Sequence, residues 1–320
     1  MKHVFGIDVG NSEIKSAKTS FSAGYTSYSV KPAMAQKYLL YKEKYYVLSP
    51  NRKPYREDKT EDGRCIIFTL FSLATEIIET NADKTREEIQ AKIDKIKNVV
   101  LAIGLPPADM TNLRDKTIAY YEEECKDGIE FEYDGYVFSF KVDNIYMFPQ
   151  NYSATVTVKN SEIIKVYPKY YVIDIGGITV DILCMVDGQP IIEEVDSKKI
   201  GMLNLYENVM KRVKQETGVT IDQRCIESVL KKEPNALKEN VVTSIKNGCH
   251  AWADYILDEL SQSGIEFQAY PVVFMGGGSK ALRQYIEKSE LLGIHEFITD
   301  THANARGYQL LAKSIEARKA

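Results

Sequence analysis

Apolar residues in this chain occur in two patterns. Short continuous runs at Val4–Asp8, Asn98–Pro107 and Pro271–Met275 read as strands covered on both faces, as in a parallel sheet flanked by helices. Longer segments repeat at spacings of three and four. Asn240–Ser261 carries Val241, Ile245, Cys249, Trp252, Ile256 and Leu260 on one helical stripe, which predicts an amphipathic helix with Trp252 in the core. Helices are likewise predicted over Ile66–Thr80, Met202–Thr217 and Ala303–Arg318, and over Thr85–Lys97, which is charged on most faces. Thr220 with Gln223 three residues on matches a capping box. Ile129–Val142 reads as a hairpin turning at Asp134-Gly135. Phe21–Arg64 is tyrosine-rich and broken by Pro32, Pro50 and Pro54, the pattern of irregular strands and loops in a peripheral subdomain. Lys231–Asn240 reads as a solvated loop.

One pattern occurs twice. "IDVGNSEIK" (Ile7–Lys15) and "IDIGGITVD" (Ile173–Asp181) each place an acid at the end of an apolar strand, then glycine, then a hydroxyl, then a second β run. The two acids, Asp8 and Asp174, stand about 166 residues apart, which suggests two related domains meeting near Asn160. A strand rather than a helix follows the first glycine turn, unlike a dinucleotide-binding or P-loop unit.

Composition narrows the chemistry. Forty-one basic against forty-five acidic residues give a net charge of −4, so no overall cationic field invites DNA or anionic lipid, and any link to nucleic acid is expected to be indirect. The five cysteines are scattered without a C-x-x-C pair, which fits reduced thiols and a cytoplasmic address. The four histidines are dispersed and make no metal spacing. The longest apolar-rich stretch, Cys65–Ile78, is too short to span a bilayer.

Glycine turns let backbone N–H groups approach phosphate oxygens with no β-carbon in the way. Gly10, Asn11 and Ser12 in the first hairpin and Gly176, Gly177 and Thr179 in the second are therefore candidate phosphate contacts, with Lys15 as a nearby cation. Asp8 and Asp174 would repel phosphate directly. They make sense beside a Mg²⁺ held through its waters. A third turn, "MGGGSK", follows the strand at Pro271–Met275; Gly276, Gly277 and Gly278 would pass under a nucleoside, and Ser279 would cap the next helix. No G-x-x-x-x-G-K-[ST] is present, which argues against a Walker-type site.

The order of the three turns resembles the phosphate-1, phosphate-2 and adenosine motifs of the actin, sugar-kinase and chaperone ATPase superfamily. Within it, the length, "AIGLPP" and "HANARGYQLLA" resemble the ParM-type bacterial actin-like plasmid-segregation ATPases. The resemblance implies an α/β fold of two duplicated ribonuclease H-like domains around a central nucleotide cleft. Domain I would cover residues 1–159 with a peripheral subdomain at about 21–64; domain II would cover 160–302 with a helical subdomain at about 201–268; and 303–320 would return toward domain I as a helix. It further implies ATP (or GTP) and Mg²⁺ as ligands, Asp8 and Asp174 as catalytic and metal-associated residues, and Gln150 at the start of a linking helix as the residue that orients the attacking water. It implies head-to-tail self-assembly into filaments and a ParR-like adaptor on a centromere-like plasmid site, with no direct nucleic-acid or membrane contact. A small-molecule kinase of the same fold would present a carboxylate where Gln150 stands, and a chaperone-like module would need an added peptide-binding domain.

Overall fold

The computed structural model describes residues 3–33, 35, 37–158 and 160–319. The chain divides into two compact units: one runs to Thr157 and takes back the segment from His302 onward, and the other is Val158–Thr301.

In chain order the first unit holds β1 (His3–Val9), β2 (Glu13–Ser16), β3 (Ser20–Ser22), β4 (Tyr25–Tyr28), β5 (Leu39–Tyr41), β6 (Lys44–Leu48), α1 (Arg64–Glu79), α2 (Arg86–Ile93), β7 (Asn98–Leu105), α3 (Met110–Cys125), β8 (Ile129–Tyr133), β9 (Tyr136–Pro149) and α4 (Tyr152–Thr155). The second unit holds α5 (Glu162–Val166), β10 (Lys169–Ile175), β11 (Val180–Val186), β12 (Gln189–Lys198), α6 (Met202–Thr217), α7 (Gln223–Leu230), α8 (Glu239–Gln262), β13 (Val272–Met275), α9 (Gly276–Ile286) and β14 (His295–Phe297). The closing helix α10 (Ala303–Lys319) belongs to the first unit.

The sequence repeat is a repeat of topology. One sheet runs β3-β2-β1-β7-β9 before continuing into β8-β5-β6-β4, and the other runs β12-β11-β10-β13-β14. In each five-strand core the first two pairings are antiparallel and the next two parallel. Strand β9 joins the halves of the larger sheet: Tyr136–Phe140 pair with β8, and Lys141–Pro149 pair with β7. The strands of the tyrosine-rich segment therefore extend this sheet.

Local expectations differ from the structure in five places. Helix α2 is shorter than predicted, because Thr85 is its N-cap, in a reciprocal capping box with Glu88. Helix α3 was not legible as a helix: among its sixteen residues only Thr117, Tyr121 and Cys125 are buried, a stripe too narrow to show as periodicity. Asp222 rather than Thr220 caps α7, accepting from the Cys225 N–H at 3.0 Å. Ser279 does not cap α9; the helix begins at Gly276 and Ser279 lies buried within it. Trp252 is only partly buried against the core of its unit.

Helix α10 sits tightly on β1, β2 and α4. Gln309 Nε2 donates to the Val4 carbonyl at 2.7 Å, and Arg306 Nε donates to the Ala17 carbonyl at 2.9 Å. A β-carbon at Gly6 would lie 1.9 Å from the Ala305 carbonyl oxygen, and one at Gly307 would lie 1.8 Å from that of Ser153. Both obstacles are backbone atoms, which cannot rotate away. Gly307→Ala gains about 1 kcal/mol of helix propensity but incurs overpacking of about 1–3 kcal/mol against backbone, so the clash wins. Urea unfolding should show a lower midpoint for Gly307→Ala; a variant as stable as wild type would mean that α10 is seated less closely.

Candidate functional site

In the first unit the site begins where β1 ends. Asp8 pairs across the hairpin with Lys15, and Val9 with Ile14. Gly10 closes the turn, since a β-carbon there would lie 2.4 Å from the Glu13 carbonyl oxygen. Asn11 and Ser12 are partly accessible. Ser12 Oγ accepts from Arg52 Nη1 at 2.8 Å, which leaves its own hydroxyl proton available for donation. Lys15 lies mostly covered, with Nζ 3.3 Å from Glu13 Oε2.

Gln150 and Asp8, far apart in sequence, meet: Gln150 Nε2 donates to Asp8 Oδ1 at 2.9 Å. Gln150 stands in the turn after β9, and its N–H donates to the Leu105 carbonyl at 2.8 Å, so the Gly-Leu-Pro turn helps to place it. The helix that follows, α4, is a single turn rather than a long linker. Asp8 keeps some accessible surface, yet it lies deep enough among protein atoms that burial raises its carboxyl above the usual value; Lys15, Lys59, Asn304 and Gln150 oppose that rise.

Lys59, Arg52 and Asn304 are site residues that sequence spacing does not reveal. Lys59 lies in the loop between β6 and α1, and its Nζ donates to the Val9 carbonyl. Burial lowers its ammonium below the ordinary lysine value, with Cys65, Asp8 and Asp109 acting in the other direction. Its neighbours hold the loop: Asp58 Oδ1 accepts from the Thr60 N–H at 2.9 Å, and Asp58 forms an ion pair with Lys116 of α3.

In the second unit Asp174 pairs with Asp181, and Ile175 with Val180. The Gly176 N–H donates to the Thr179 carbonyl at 2.9 Å. The Gly176 and Gly177 carbonyls accept from Met202 and Leu203 at 3.1 and 2.8 Å, which commits two oxygens that would otherwise repel an anion to the start of α6. The Thr179 hydroxyl donates to Asp181 Oδ2 at 3.0 Å, within the turn.

The three glycines of α9 have different tasks. Gly276 has φ +88°, and a β-carbon there would lie 2.0 Å from Asp174 Oδ1. Gly278 is buried, and its β-carbon would lie 2.5 Å from Ile175 Cγ2. Gly277 is exposed with nothing within 4 Å of an added β-carbon, so it leaves bare backbone at a helix N-terminus, a setting that favours anions. Among the described residues no three His, Cys, Asp or Glu side chains form a metal cage. Asp8 and Asp174 each set a single carboxylate at the end of a strand, beside the glycine turn of its own unit.

The lysine at this site gives a pH test. Below the folded value both states hold the Lys59 proton; between that value and about 10.4 the unfolded chain holds it and the folded chain has released it, so stability rises with pH. Thermal unfolding should show wild type gaining on Lys59→Met as pH rises toward 10. A difference that stays flat or narrows would contradict the buried placement of Lys59.

Residues 172–288 match the family described as archaeal actin homologue MreB-like, C-terminal. An archaeal actin homolog of Thermoplasma volcanium is 30% identical over 102 residues, a stretch spanning 31% of this chain and 31% of that protein. Among solved structures, the archaeal actin homolog Ta0583 superposes with a TM-score of 0.75 at 18% identity, over 98% of this chain and 99% of that one. It has also been solved in complex with ADP. The apo ParM protein of pSK41 gives 0.67 at 17% identity over 99% and 98% of the two chains. AlfA, solved as a filament bound to AMPPNP, gives 0.62 at 18% identity over the whole of both. The chain has the actin-like ATPase fold.

Proposed function

We propose that this protein is a nucleoside triphosphatase that binds ATP or GTP with Mg²⁺, assembles head to tail into filaments in the bound state, and moves plasmid DNA through a ParR-like, DNA-bound adaptor in the cytoplasm. The observation that carries the triphosphatase reading is the hydrogen bond from Gln150 to Asp8, beside the Gly10–Ser12 turn. The Gly10–Ser12 and Gly176–Thr179 turns hold the phosphates, Lys15 adds positive charge, and Gly276–Gly278 accommodate the nucleoside. Mg²⁺, near Asp8 and Asp174, would neutralise charge on the phosphates.

Gln150 is not a base. Its amide N–H is engaged by Asp8, and this fixes the direction of the amide carbonyl, which can accept from a water and aim its lone pair. Positioning of this kind suffices where phosphoryl transfer depends on geometry and charge. The filament reading is supported by the fold shared with AlfA, and the nucleotide by the ADP complex of Ta0583. The cytoplasmic reading is supported by the five free cysteines. The plasmid-segregation reading is supported by the fold shared with ParM.

Gln150→Ala should keep triphosphate binding and lose about 100-fold in hydrolysis, because the phosphates retain their contacts while the water is misplaced. Light scattering should rise on addition of ATP or GTP in both proteins and decay more slowly in the variant. Wild type that hydrolyses nothing and stays monomeric with a non-hydrolysable triphosphate would overturn the reading. Phosphorylation of a small-molecule hydroxyl would favour a kinase instead.

A further inference from the structure

The residue after Gln150 has a backbone that ordinary loops avoid. Asn151 has φ 59° and ψ −61°, and the Tyr152 N–H bonds back to the Gln150 carbonyl at 2.5 Å. This is a γ-turn of the rare, strained kind, made by a residue that is not glycine and is fully buried. Such a conformation persists only where the surroundings over-determine it, and it sits next to the side chain proposed to orient water.

What holds it comes from the far end of the unit. The Asn151 N–H donates to Asn304 Oδ1 at 3.0 Å, and the Asn304 side chain also hydrogen-bonds Asp8. Asn304 is itself 6% exposed, in the first turn of α10. The start of that helix is fixed by His302 Nδ1, 2.9 Å from the Ser16 carbonyl, and by Gly307 against the Ser153 backbone. A closed ring results: Asp8 to Gln150 by side chain, Gln150 to Asn151 by chain, Asn151 to Asn304, and Asn304 back to Asp8.

We propose that Asn304 is a positioning residue for hydrolysis, clamping the strained turn at Asn151 so that the Gln150 amide is held on Asp8; this rests on the triphosphatase reading above. One amide suits both tasks, because its oxygen accepts from the turn while its NH₂ donates to a carboxylate. Alanine removes both bonds. Aspartate of the same shape keeps an acceptor for Asn151 but turns the donor toward Asp8 into a like charge.

The test measures turnover and triphosphate affinity for the full chain, Gln150→Ala, Asn304→Ala, the double variant and Asn304→Asp, with hydrogen exchange at the Asn151 amide. Asn304→Ala should lose at least about tenfold in kcat with affinity within about threefold, and the double variant should turn over no more slowly than Gln150→Ala. The Asn151 amide should lose protection in Asn304→Ala and keep it in Asn304→Asp, while Asn304→Asp also loses turnover. Multiplying losses in the double variant, wild-type turnover in either Asn304 variant, or a protected Asn151 amide in Asn304→Ala would overturn the proposal. Wild type without any turnover would overturn the triphosphatase reading, and the positioning role with it.

Discussion

Helix α10 lies so close to β1 and α4 that neither Gly6 nor Gly307 has room for a β-carbon. Much of the first unit's candidate chemistry depends on that seating. It brings Asn304 beside Asp8 and Asn151, although Asn151 lies 153 residues before it and Asp8 near the other end of the chain. It also ties the carbonyls of Val4, Ser16 and Ala17 to side chains of α10 or of His302 just before it, so the strands leading to and from the Gly10 turn have little freedom to shift. Close-packed backbone converts a small sequence change into a displacement of the whole hairpin.

The second constraint is electrostatic. A carboxylate as deep as Asp8 is disfavoured in its charged form, and Lys15, Lys59 and two amide groups offset that penalty. The same lysines would favour a polyphosphate at the Gly10–Ser12 turn, so the residues that stabilise Asp8 in the free protein are suited to its neighbour in the bound one. In the second unit the solution is different: the Gly176 and Gly177 carbonyls are consumed by α6, and Asp181 is satisfied by Thr179 and Ser197. The two hairpins share topology but not internal bonding.

The strands and hairpins of this fold are legible in sequence because each is a local pattern: an apolar run, an acid, a glycine. The duplicated order of five strands follows from two such hairpins and their parallel neighbours. Helix α3 is not legible, because a stripe of Thr117, Tyr121 and Cys125 contrasts too little with its surroundings. Lys59 and Arg52 are not legible as site residues for another reason. Nothing in the segment from Arg52 to Gly63 marks which of its charged side chains turns inward; the Asp58–Lys116 pair and the reach to Val9 and Ser12 are made by folding. The roles of Gly276 and Gly278 as packing glycines are invisible too, since "GGG" looks uniform until Asp174 and Ile175 are placed against it.

Gly277 offers the sharpest test of the proposed nucleotide site, because the fold makes no demand on a side chain there. Calorimetric titration of ATP and of GTP with Mg²⁺ into wild type and Gly277→Val, with unfolding midpoints measured on both, separates binding from folding. Wild type should bind at least one of the two, and the variant should keep its midpoint but lose at least about 100-fold in affinity, since a branched side chain would occupy the space of the nucleoside. Equal affinities in wild type and Gly277→Val would contradict the proposed site.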